Sequence, residues 1–166
     1  MAPILALPIL GTALMIQTAI LSQVPLLKGP ADLVLLTLLS WVLQQRASAI
    51  WWWAVVAGLL VGWVSALPVW LTIVGYLAVT GLAGLLRNRV WQIPILALFT
   101  TIIFGTIITQ VSAFLFLRLG GTALDFQEAV NLIILPSLLL NLLIAIPVNG
   151  IISELATWLY PPEIEA

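Results

Sequence analysis

Between Ile50 and Leu86 the chain carries no acid and no base. As one helix this stretch would be about 55 Å long at 1.5 Å per residue, far more than the roughly 30 Å hydrocarbon core of a bilayer. It must therefore fold back on itself, and Ser65-Ala66-Leu67-Pro68 offers the place. Over all 166 residues, 63% are hydrophobic and 7% charged. A water-soluble domain needs about a quarter of its residues charged. The chain is thus expected to be an integral membrane protein, folded as one domain over residues 1–166.

Six apolar segments approach or exceed the length of a membrane span. They cover about residues 4–21, 31–45, 50–66, 68–86, 91–117 and 129–159, an all-α, six-helix transmembrane bundle. Lys28-Gly29-Pro30 separates the first two segments, and Gln44-Gln45-Arg46 ends the second. Arg87-Asn88-Arg89 ends the fourth, Arg118 with Gly120-Gly121 the fifth, and Pro161-Pro162 the sixth. The sixth segment is long, and Pro136 and Pro147 are expected to kink it. The first segment lacks a preceding base and a small-x-small cleavage site, so it reads as a retained helix. With no long polar region, partners are expected to meet the protein mainly within the membrane.

The five bases are Lys28, Arg46, Arg87, Arg89 and Arg118. With both termini in the cytoplasm, Arg46, Arg87 and Arg89 lie inside and Lys28 and Arg118 outside, the arrangement favoured by the positive-inside rule. Trp51, Trp52, Trp53, Trp91, Trp158 and Tyr160 would then mark the inner interface, and Trp63 and Trp70 the outer turn, since an indole is apolar with one polar N–H. The Trp51–Trp53 triplet could alternatively serve as a protein-binding patch.

Small or weakly polar residues recur at every fourth position. Ala54, Gly58, Gly62 and Ala66 do so in the third segment, Thr72, Tyr76, Thr80 and Gly84 in the fourth, Thr101, Gly105, Thr109 and Ala113 in the fifth, and Ser137, Asn141, Ala145, Asn149 and Ser153 in the sixth. Residues four apart share a helix face, and small ones let two helix backbones approach closely in lipid. Such faces either hold the bundle together or receive a helix of another protein; a second copy of the chain is one such partner. Asn141, Asn149, Gln17 and Gln110 each carry an amide that needs a hydrogen-bond partner inside a bundle.

No site for chemistry stands out. The chain has no histidine and no cysteine, which removes the usual general base, thiol chemistry and soft metal ligands. Every acid except Glu154 is read as lying outside the apolar runs. Asp125 and Glu128 read as a solvated loop near Arg118, and Glu154 as a partner for Arg87 or Arg89. No phosphate loop, metal constellation or cofactor motif is present. A net charge of −1 provides no basic field for nucleic acid.

Several stretches together resemble the bacterial rod-shape-determining protein MreD family. They are Ile16-Gln17-Thr18-Ala19-Ile20-Leu21, Pro30-Ala31-Asp32-Leu33-Val34-Leu35-Leu36, Trp41 ahead of Arg46, and Gly58 through Pro68 with its Ser-x-x-Pro turn. Gly75-Tyr76-Leu77-Ala78 with Arg87-Asn88-Arg89, and Pro136, Asn141 and Pro147, continue the likeness. The sequence departs from the family where Gly62 or Trp63 stands in place of an expected acid, and where Trp70 replaces an expected small residue.

The resemblance implies a non-enzymatic role in the cytoplasmic membrane, without cofactor. The family binds the single-span protein MreC and supports the elongation machinery of peptidoglycan synthesis, including its polymerase and transpeptidase. Its fold is similar to the substrate-binding component of energy-coupling-factor transporters. The expected function is therefore a membrane scaffold that packs a partner's helix against small-residue faces. The alternative is the small-molecule (vitamin) binding subunit of such a transporter, which would need an outward pocket lined by polar and aromatic groups.

Overall fold

The computed structural model describes residues 2–19, 31–44, 47–89, 94–122 and 125–160. The boundary residues Lys28, Arg46, Trp91 and Pro161-Pro162 lie outside that set. Among the described residues the chain is all-helical. It forms α1 (Ala2–Ala19), α2 (Leu33–Leu43), α3 (Ile50–Val64), α4 (Val69–Arg89), α5 (Pro94–Leu119) and α6 (Phe126–Leu159). Of these, α4, α5 and α6 are long and apolar enough to cross a membrane, which marks the chain as a membrane protein. The other three are shorter apolar helices.

The arrangement centres on α2. Every residue from Leu33 to Val42 is buried, and α2 packs against α1, α3, α4, α5 and α6. A helix apolar all round its circumference is what a fully surrounded position requires. Its 11 residues span only about 16 Å, but a helix enclosed by protein need not match the lipid thickness. It does need its end groups satisfied from within. At its start the Asp32 carboxylate accepts the Leu35 N–H at 2.9 Å, an N-cap. At its end the Arg87 guanidinium donates to the carbonyls of Val42 and Gln44, each at 3.3 Å. Arg87 thus serves the C-terminal end of α2, where a cation is favoured, whereas Glu154 is exposed.

Helices α3 and α4 form the hairpin required by the length of the uncharged stretch. The Ser65 hydroxyl accepts the Leu67 N–H at 3.1 Å and shapes the turn. Pro68 then starts α4, its carbonyl accepting the Leu71 N–H at 3.0 Å. The two backbones approach closely at Gly58, where a Cβ would stand 2.5 Å from the Ile73 Cα, and at Gly62, where it would stand 2.9 Å from the Val69 Cα. The Thr72 hydroxyl bridges the pair by donating to the Gly58 carbonyl at 2.8 Å.

In α6 the turn Val130–Ile134 is widened to π geometry, with the Leu135 N–H reaching back to the Val130 carbonyl. Pro136 follows directly. It has no N–H to give the Leu132 carbonyl, so the ladder there is disturbed. The helix runs on through Pro147.

The tryptophans divide into two sets. Trp51, Trp52, Trp63, Trp70 and Trp158 are exposed large hydrophobic residues at the helix ends. Trp53 departs from the interfacial reading: it is fully buried, stacked on Trp41 with ring centroids 4.4 Å apart. The inward face of α3 claims the third residue of the triplet, because positions in a helix turn through 100° each.

Candidate functional site

The start of α2 collects a polar knot from five helices. The Asp32 carboxylate accepts the Tyr76 hydroxyl of α4 at 2.7 Å. The Asp32 backbone N–H donates to the Asn141 side-chain oxygen of α6 at 2.8 Å. The Asn141 amide in turn donates to the Thr106 hydroxyl of α5 at 2.9 Å. The Gln17 side-chain oxygen of α1 accepts the Val34 N–H at 3.3 Å. Asn141 and Thr106 are buried, so their mutual bond satisfies groups that lipid or core could not. Nearby, the Gln110 amide donates to Ser137 at 3.4 Å.

Asp32 corrects the sequence reading that placed it outside the apolar segments. It caps α2 from within the bundle, and its carboxylate stands beside a buried phenol. Asp32 is half-buried, and an ionisable residue set within an apolar bundle marks a candidate functional site. The local signal was present: an Asp directly before an apolar run is an N-cap pattern. Its pairing with Tyr76 joins positions 44 residues apart, which no local pattern encodes.

The knot borders a cavity of about 210 Å³. Gln17, Asp32, Tyr76 and Gln110 contribute its polar wall, and Val61 and Leu71 belong to the apolar part. The cavity lies under the Ser65–Pro68 turn, at the end of the bundle opposite Arg87. Gly75 lines it, and a Cβ added there would meet nothing within 4 Å.

The small-residue faces lie differently. Gly58 and Gly62 are covered by α4, and Ala54 is fully buried. Gly105 is buried, where a Cβ would stand 2.9 Å from Val79 and 3.2 Å from Leu39. Thr101 is buried and donates to its own helix at Ala97. Thr109 is half-buried beside the cavity, donating to the Gly105 carbonyl at 3.0 Å. Asn149 is half-buried on α6, away from the knot that holds Asn141. The structure thus brings Asn141 alone of this set into the polar knot and turns the glycines toward neighbouring helices of the same chain.

A second concavity runs along the side of the bundle. Its walls are α1 from Leu5 to Ile16 and α6 from Val148 to Leu159, and its floor is Leu33 and Thr37 of α2. Each wall presents residues three to four apart, a single helix face, over about 16 Å. The groove has a volume of about 460 Å³, and Pro8, Thr12, Ile16, Ile151 and Trp158 on its walls are exposed.

No protein-family model, no curated protein and no solved structure matches this chain.

Proposed function

We propose that the chain is a non-enzymatic scaffold subunit of the MreD type in the bacterial cytoplasmic membrane. In this reading six helices form one transmembrane bundle similar in fold to an energy-coupling-factor substrate-binding component. It serves the cell-elongation machinery by holding the single membrane helix of an MreC-like partner.

The observation that carries this reading is the groove between α1 and α6. It is apolar, exposed along its walls, and three helical turns long. Lipid offers little hydrophobic gain for helix association, so a partner helix is held by packing into such a shape and by isolated polar contacts. Thr12 and Thr37 are the hydroxyl-bearing residues of the groove. Gly58 and Gly62 are taken up by the α3–α4 hairpin and Gly105 by packing against α4 and α2, so the groove replaces them as the place of partner contact.

Co-expression with MreC from the same organism tests the reading. The parent chain should retain MreC through purification in detergent. The double variant Thr12→Trp with Ile151→Trp fills the groove from two exposed positions and should retain at least about tenfold less, the equivalent of 1.4 kcal/mol. Failure of the parent to retain MreC, or equal retention by the variant, overturns the proposal.

A second reading, a small-molecule-binding transporter subunit, is favoured by one observation: the cavity at the start of α2, with its polar and aromatic wall.

A further inference from the structure

We infer that the cavity under the Ser65–Pro68 turn binds a small protonated amine, with Asp32 as its anionic anchor. The site stands apart from the groove, and the inference does not depend on the scaffold reading.

The charge balance comes first. Among the described residues that line the cavity, Asp32 is the one acid and none is a base. Its carboxylate receives the Leu35 N–H and the Tyr76 hydroxyl. With the Val34 N–H as a third and weaker contact, the about four acceptor sites of an ionised carboxylate still leave one free. A carboxylate removed from bulk water is costly without an opposite charge. A cation in the cavity supplies that charge.

Shape and wall chemistry then narrow the class. A bare metal ion requires several oxygen ligands at 2.0–2.6 Å, commonly with more than one carboxylate, whereas among the described lining residues Asp32 is the one charged donor and the others are neutral hydroxyls and amides. An ammonium group on a short apolar body fits better. Its N–H groups meet Asp32 and the Gln110 side-chain oxygen, while its body meets Val61, Leu71 and the Tyr76 ring. Gly75 keeps the space open, since a side chain there would enter the cavity rather than a neighbouring helix.

The test uses the full chain purified in detergent, with n-propylammonium chloride as the probe. Isothermal titration should give saturable binding with a Kd near about 1 mM or tighter, which for a ligand this small is within the ceiling per heavy atom. n-Propanol and sodium chloride at equal concentration should give none. Asp32→Asn preserves the N-cap, because Asn caps as well as Asp, and should weaken binding at least about tenfold. Gly75→Leu fills the cavity and should abolish binding while circular dichroism remains that of the parent. Absence of saturable binding to the parent overturns the inference. So does equal affinity of Asp32→Asn, or propanol binding as well as propylammonium. Should a variant fail to fold, the parent's discrimination between propylammonium and propanol decides alone.

Discussion

The Tyr76 hydroxyl donates to the Asp32 carboxylate at 2.7 Å, and through this bond α4 holds the N-terminal end of the buried helix α2. The same Asp32 caps α2 through Leu35 and is held from the other side by Asn141. One residue therefore ends a helix, fixes its depth in the bundle and faces a cavity. Tyr76→Phe keeps the ring and removes the donor. It should lower stability by about 1–2 kcal/mol, between the small values typical of membrane hydrogen bonds and the larger ones to charged groups. Thermal unfolding in detergent measures this; an unchanged midpoint would show that the bond carries no net energy.

The glycines should rank by what surrounds them. Gly58→Ala pushes a methyl against the Ile73 backbone, which cannot yield, and should cost about 2–3 kcal/mol as overpacking. Gly105→Ala meets side-chain methyls of Val79 and Leu39, which can shift, so its cost should be nearer about 1 kcal/mol. Gly75→Ala meets open space and should be neutral or stabilising by up to about 1 kcal/mol, since Ala favours a helix over Gly. A melting series of the three variants in that order of stability checks the packing; a Gly58→Ala protein as stable as Gly75→Ala refutes it.

Arg87 closes the other end of α2. Arg87→Ala removes donors from the Val42 and Gln44 carbonyls and should destabilise by about 1–2 kcal/mol. Arg87→Lys restores the charge without the forked donor and should recover part of the loss. Equal melting midpoints for the parent and the Ala variant would show that water or another group satisfies those carbonyls.

The chain has no cysteine of its own, so introduced cysteines report its orientation cleanly. Ser48 and Thr122 are both exposed, at opposite ends of the bundle. With both termini in the cytoplasm, a membrane-impermeant maleimide added to intact cells should label Thr122→Cys and spare Ser48→Cys. The reverse pattern would invert the topology.

The apolar runs alone determine that this chain makes long helices for a membrane, because so few charges leave no other solvent for its surface. The uncharged stretch from Ile50 to Leu86 likewise forces a hairpin, and Pro68 marks it. The fourfold small-residue spacing identifies faces of close approach, since helical periodicity is local. Which neighbour fills each face is not local. Gly58 and Gly62 meet α4, and the side of the bundle left grooved lies between α1 and α6, far apart in sequence. The enclosure of α2, the stacking of Trp53 on Trp41, and the convergence of Asp32, Tyr76, Asn141 and Thr106 all arise from contacts across helices. Only the tertiary structure decides them, because a side chain's neighbours in a bundle depend on how whole helices are arranged.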